Sequence, residues 1–459
     1  MSRSAQASLS RLEEIAGGDH VSMNEAELRA REVCGVLPAV VVRPADADEI
    51  AETLRFAVAE KLAVVPMGGR TKLGIGSPPA RYDIALDLSR MNRVLAYDPH
   101  DLTLGVEPGV RIQDLLGTLA EKNQFLPLVV PFLDRATVGG IVAANSSSPL
   151  RHAYGAVRDF CLGMEFVTGE GTRAKSGGRV VKNVTGYDLH KLLVGSLGTL
   201  AVITRVNFRT FPLLPAQGTF VATFRTAEEA SEFCVTVSHS VLTPQIVEIA
   251  DSGAAQFLYP ADAAESITPR PWSVIHSVVG HSAVVNRHAR ELGRLAGEAN
   301  AEEFQALDES GSVPLLTRIR EFPQLVLNSA PSALIFRVNL VPSAIPSVLR
   351  RFRELASRAG FDFAALTRAS GILCAAFAPP KGIETSSASS AQLVKEVLHF
   401  NALPEAGAQS MLEWCPAEVK RLAGDVWGPP RADLPLIRKL KNAFDPQDVL
   451  SPGRFAGGI

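Results

Sequence analysis

Two tracts of this sequence hold residues suited to gripping a phosphorylated ligand. The first is Pro66-Met67-Gly68-Gly69-Arg70-Thr71-Lys72-Leu73-Gly74-Ile75-Gly76. Successive backbone N–H groups around Gly68 and Gly69 can form a nest that holds a pyrophosphate without a helix dipole. Neither the dinucleotide fingerprint G-x-G-x-x-G nor the P-loop pattern is present, and Pro78 and Pro79 block a helix start. A plain glycine-rich turn is the competing reading. The second tract is Asp134-Arg135-Ala136-Thr137-Val138-Gly139-Gly140-Ile141-Val142-Ala143-Ala144-Asn145-Ser146-Ser147-Ser148. From Gly139 onward only Ile141 and Val142 are large apolar residues, so the tract packs poorly as core and leaves room beside it. A close helix–sheet contact through Gly and Ala would explain the same residues.

Charged candidates are few. Arg337 is the single charge in the apolar run 333–341, and a charge in a buried strand needs a partner or a ligand such as a carboxylate. On a half-exposed strand it would point to water. Arg158 beside Asp159 reads as an ion pair that holds a loop. The nine histidines and five cysteines show no metal, cluster or redox spacing, so no metal site is expected. The 46 Lys+Arg against 48 Asp+Glu leave a net charge of −2, and no overall field favours nucleic acid or acidic lipid. No apolar run approaches the ~18 residues of a membrane span. With no signal peptide at the N-terminus and unpaired cysteines, a cytoplasmic location is expected, with membrane association through partners left open.

The elements that must position these residues follow from periodicity. Residues 40–42, a helix capped by Asp46 or Asp48 and running to about residue 60, and residues 62–65 form a βαβ unit that delivers the 66–76 loop. Strands are expected at 84–88 and 102–106 and a helix at 111–121. Residues 188–193, with Asp188 as N-cap, form a short helix; Gly195 and Gly198 bracket a turn, and 200–203 is a buried strand. Beyond 213, two rounds of strands and helices predict an open antiparallel sheet with helices on one face. Residues 5–15 and 24–33 read as a helical arm packed on the surface.

The stretch KNVTGYDLHKLLVGSLGTLAVIT at 182–204, with the P-x-G-G-x-T loop and the T-x-G-G tract, resembles FAD-linked oxidases of the vanillyl-alcohol oxidase type. Among these, the second FAD-binding subunit of glycolate oxidase is the most similar in pattern, over about 42–212 and again at 440–458. The resemblance implies an α+β fold: a two-subdomain PCMH-type FAD-binding domain plus an α+β cap domain with an antiparallel sheet. It implies an N-terminal arm at 1–35, the FAD-binding domain at 36–213, the cap at 214–435, and a C-terminal segment at 436–459 that returns to the FAD domain. Pro66, Met67, Gly68, Gly69, Arg70, Thr71, Asp134, Thr137, Gly139, Gly140, Ala143, Asn145, Gly198, Ile203 and Arg454 are then expected around FAD. Lys182, Asn183, Tyr187 and Arg337 would face the flavin or the substrate, and a lysine near the flavin's N1/C2 edge would stabilise negative charge there. No histidine occurs between His20 and His100, so non-covalent FAD is expected.

The implied function is an FAD-binding subunit of a glycolate oxidase-like complex. It would oxidise a small 2-hydroxy acid, glycolate or D-lactate, to the 2-oxo acid. Partners would be another FAD-binding subunit and an iron–sulfur subunit that receives the electrons. The related G-H-x-G-D-G-N cap motif is absent, because Gly280-His281 is followed by Ser-Ala-Val-Val. That leaves open a non-catalytic or electron-relaying FAD subunit, or a flavin-free assembly subunit. At the tail Ser451-Pro452-Gly453-Arg454 resembles N-P-G-[RK], with serine in place of asparagine.

Overall fold

The computed structural model describes residues 3–179, 186–259, 271–400, 408–429 and 432–459. The βαβ unit forms as its sequence dictates. Asp46 accepts from the N–H groups of Asp48 and Glu49 to start helix Ala47–Glu60, which leads to strand Val64–Met67 and thence to the 66–76 loop. That strand pairs in parallel with Ile84–Asp87, which pairs in parallel with Val40–Val42. Val21–Ser22 closes the sheet edge antiparallel to Val41 and Val42. The N-terminal region is therefore built into the fold. Leu12 and Ala16 are buried against Ile50 and Leu54, and buried Arg31 donates to Asp87 at 2.8 Å. Its short helix Glu25–Arg29 hid this role, because the contacts that hold it lie outside its own periodicity.

A second, antiparallel sheet runs Val94–Asp98, Thr103–Val106, Ala201–Arg209, Cys161–Thr168, Arg173–Gly177. The stretch Ala201–Arg209 is its central strand, buried on nearly every position, as the apolar run at 200–203 requires. The turn before it depends on Gly195 and Gly198, both at positive φ.

Residues 216–414 contribute an eight-stranded antiparallel sheet. Helices cover both faces, not one. Phe220, Phe224, Phe336 and Phe377 pack with helices that include Phe233, Leu292, Phe352 and Val394, while Val221, Ile275 and Ile335 pack with Leu258, Ile319 and Phe322 on the other side. The second face was invisible in the sequence because its main helix, Glu309–Ser329, carries Pro314 and Pro323 inside it. Internal prolines cost a helix roughly 3 kcal/mol. Here burial of Leu315, Ile319, Phe322 and Val326 offsets that cost.

The tail returns to the first sheet. Lys441 Nζ donates to the carbonyls of Thr199 and Leu450, each at 2.9 Å, and to Asp445, and Ser451 N–H donates to Val64 at 2.9 Å. Ser451 adopts φ 47° with its hydroxyl buried and unpartnered, the position where an asparagine side chain would be both tolerated and bonded. No helix among the described residues is long and apolar enough to cross a membrane.

Candidate functional site

The 66–76 loop, the small-residue tract, residues 197–203 and the tail converge on one cleft. Pro66, Met67, Gly68, Gly69, Arg70, Thr71, Thr137, Gly139, Gly140, Ala143, Gly198, Ile203 and Arg454 all line it. Thr137 N-caps helix Val138–Ala144, whose first turn opens on this cleft and ends in Asn145 at φ 46°. The N–H groups of Val138 and Gly139 in that turn are taken by the Val110 and Pro108 carbonyls, at 3.0 and 2.8 Å, so the turn offers an anion its partial positive charge and not those donors.

The glycines divide into two kinds. A Cβ at Gly68 or Gly69 would overlap Thr137 Oγ1 or the Arg135 carbonyl, and one at Gly139 would come within 2.6 Å of Pro108. These three hold walls together, Gly139 in the close contact that was the alternative reading of its tract. A Cβ at Gly140 would meet only Thr137 Oγ1 at 3.3 Å, and anything larger would enter the cleft. One N–H group of the nest expected around Gly68 and Gly69 is also occupied: Gly69 donates to Thr137 Oγ1 at 3.3 Å.

Asp134 does not line the cleft: its side chain is exposed beside Arg135, and it is the Arg135 backbone that packs on Gly69. Asn145 stands behind the wall, its Oδ1 buried without a partner. Arg454 reaches in from the tail, donating to the Leu73 and Ile75 carbonyls at 2.6 and 2.5 Å, with its Nε buried and unpartnered. The orphaned Nε of Arg454 in the lining and the open space against Gly140 are what an extended dinucleotide with a polar edge would fill, so these residues fit FAD.

A second cavity, about 510 Å³ of space between atoms counting its opening to solvent, lies between this cleft and the 216–414 sheet, and Lys72 lines both. Arg337 lines it, on the sheet face away from Phe336 and Val338. It points neither to water nor to an unmet charge: its Nη1 donates to the Asn145 carbonyl at 2.6 Å and its Nε lies 3.5 Å from Glu413 Oε1. Lys72 Nζ is 2.7 Å from Glu413 Oε2 and 3.8 Å above the Trp414 ring. Arg368 Nε donates to the Ser148 carbonyl at 2.9 Å, with Glu248 behind it at 3.3 Å.

These contacts set the charge states. Burial alone would raise the Glu413 carboxyl, but Lys72 and then Arg337 outweigh it and hold the group below the ordinary range. Burial lowers Lys72, opposed by Glu413. Glu248 lacks any hydrogen bond, and burial, opposed by Arg368, pushes it up to about 7.

Lys182 and Asn183 lie outside the described residues. Tyr187 is 91% exposed and lines neither cavity; its carbonyl is taken by Ser176 Oγ at 3.1 Å, and its ring projects outward. Asp159 caps the Ala156 N–H at 2.7 Å, a loop-holding role that does not involve Arg158. His281, the remnant of the absent motif, is exposed and opens helix Ser282–Glu298. Sequence reasoning passed over Lys72, Arg368 and Glu413. Glu413 carried the same signal as Arg337, a lone charge in an apolar strand, and Lys72 lies inside the 66–76 loop already singled out, where only its backbone neighbours were weighed.

Two families match the chain: the FAD binding domain over residues 38–177, and the FAD linked oxidases, C-terminal domain, over 214–412. Glycolate oxidase subunit GlcD of Bacillus subtilis is 24% identical over 424 residues, covering 91% of this chain and 89% of that one. Glycolate oxidase subunit GlcE of Escherichia coli is 35% identical over 162 residues, 35% of this chain and 46% of that one. Substrate-bound p-cresol methylhydroxylase shares the fold, with a TM-score of 0.78 at 17% identity over 99% of this chain and 97% of that one. With its cofactor cleft and its antiparallel sheet matched by these two families in turn, the chain belongs to the FAD-linked oxidases, as an FAD-binding oxidoreductase related to glycolate oxidase subunits.

Proposed function

We propose that the chain is an FAD-binding subunit of a glycolate oxidase-like complex that oxidises a small 2-hydroxy acid, glycolate or D-lactate, to the 2-oxo acid. The observation that carries this reading is the cavity shared through Lys72 with the FAD cleft, where the buried cations Lys72, Arg337 and Arg368 face inward. A small carboxylate is the ligand such a site accepts. FAD, when bound, supplies the acceptor for the electrons of an alcohol oxidation. Arg337, tied to the Asn145 carbonyl, and Lys72, seated on Trp414, would hold the carboxylate and fix the α-carbon against the cleft. The walls of the 510 Å³ cavity, Phe322, Leu366, Ile372 and Leu373 among them, would exclude water. No histidine, cysteine or tyrosine is among the described residues that line the FAD cleft, and we therefore read the FAD as dissociable. Relatedness to both GlcD and GlcE supports further subunits, and an iron–sulfur partner is the electron acceptor this proposal includes.

A second reading, an FAD subunit that relays electrons without oxidising substrate itself, is favoured by one observation. Among the described residues lining the substrate cavity the only carboxylate, Glu413, is bound by two cations, and no histidine is present to take the hydroxyl proton. Anaerobic absorbance titration of the FAD-loaded chain with glycolate and D-lactate, alone and with candidate partner subunits, separates the two. Bleaching of the lone chain supports oxidation here, bleaching only with partners supports the relay, and no flavin spectrum after FAD is supplied defeats both.

A further inference from the structure

Where the cofactor loop touches the large sheet, two cations meet one carboxylate. Lys72 and Arg337 approach opposite oxygens of Glu413, at 2.7 and 3.5 Å, and all three side chains are at most 14% exposed. The other cations of the cavity have counter-charges of their own, Arg368 with Glu248 at 3.3 Å and Arg320 with Glu321 at 2.7 Å. Lys72 and Arg337 therefore share a single negative charge, and with Glu248 ionised, above about pH 7, the cavity carries a surplus of one positive charge. Neither cation is free to swing away, since Trp414 lies beneath the ammonium and the Asn145 carbonyl holds the guanidinium.

We propose that Glu413 is the specificity-determining residue of this cavity: by neutralising one of two shared cations it restricts the site to ligands with one carboxylate and works against those with two. The inference rests on the reading of this cavity as the carboxylate site. A first carboxylate meets the surplus charge and leaves the cluster neutral. A second must enter a buried space with no cation left for it and with Glu413 already present, so it is an unpaired buried charge beside a like charge. The restriction comes from a residue that repels the wrong ligand; the two cations alone would take either.

The test, run at about pH 8 where Glu248 is ionised, uses the FAD-loaded chain and two inert probes, oxamate with one negative charge and oxalate with two, each binding constant read from the perturbation of the flavin spectrum. In the wild-type chain oxamate binds more tightly. In Glu413→Gln the oxalate-to-oxamate affinity ratio rises by about tenfold, because both cations are released. The double variant Lys72→Met/Glu413→Gln removes the ion pair as a neutral unit, restores a surplus of one, and returns the ratio to within about threefold of wild type. It also serves where the single variant does not fold. A ratio unchanged in Glu413→Gln, or a ratio in the double variant far from the wild-type value, overturns the inference while leaving the carboxylate site intact. Binding of neither probe by the wild-type chain overturns the site and the inference together.

Discussion

The FAD cleft and the cavity beside it are walled in opposite ways. The cleft is made largely from backbone, through glycines and small residues contributed by three short tracts at 66–73, 137–144 and 197–203 and by the tail. The neighbouring cavity is made from long charged side chains, Lys72, Arg320, Arg337, Arg368 and Glu413, each from a different segment. A backbone wall accommodates a large ligand whose shape is fixed. A wall of buried charges selects a small ligand by its charge, and each charge must be held by another. The first kind of wall is fixed by covalent neighbours, and the second exists only after the chain has folded.

Substitutions that separate wall from ligand sharpen this contrast. The largest effect is expected at Gly69→Ala, where a methyl group overlaps the Arg135 carbonyl: a loss of about 4 kcal/mol or more in urea denaturation, the same with and without FAD. At Gly140→Leu the added atoms enter the cleft and not the wall. FAD affinity should fall about a hundredfold, near 2.7 kcal/mol, in equilibrium dialysis, while the melting temperature without cofactor stays close to wild type. Equal damage to fold and affinity at Gly140 would erase the distinction between the two kinds of glycine.

Glu248 tests the charged wall through pH. Its folded value of about 7 lies above the ordinary glutamate value of about 4.3, so the folded chain binds the proton more tightly. The stability this gives is complete below about pH 4.3, declines as pH rises, and is lost once pH passes about 7. Glu248→Gln removes that decline. Relative to wild type the variant should gain about 2 kcal/mol between pH 5 and pH 8 in urea denaturation, and a flat difference would show that Glu248 stays ionised in its pair with Arg368. The smallest effect is expected at exposed Tyr187→Phe: less than about 0.5 kcal/mol in stability and no change in FAD affinity.

The same contrast explains what was legible in the sequence. The βαβ unit, the 66–76 loop and the start of the central strand, read at 200–203, were legible because their signals are local: an N-cap, a turn chemistry, a continuous apolar run. Asp134 was misplaced because a tract can be read as a whole more easily than residue by residue, and its exposed carboxylate faces away while its neighbour's backbone packs inward. Arg337 stood out as a charge in an apolar strand, but its partners Asn145 and Glu413 lie 192 residues before and 76 residues after it, and no periodicity joins them. Helix Glu309–Ser329 was hidden because two prolines argue against a helix more strongly than its stripe of buried residues argues for one. Local propensity lost there to tertiary packing.

The claim that the two cavities divide the work, cofactor in the cleft and carboxylate beside it, is tested most directly by measuring FAD dissociation constants and oxamate-induced flavin perturbation in Gly140→Leu and Arg337→Met side by side. The account predicts that Arg337→Met binds FAD within about threefold of wild type yet loses at least about tenfold in oxamate affinity, whereas Gly140→Leu loses FAD itself. Loss of FAD in Arg337→Met with oxamate affinity preserved, or undiminished FAD binding in Gly140→Leu, would contradict it.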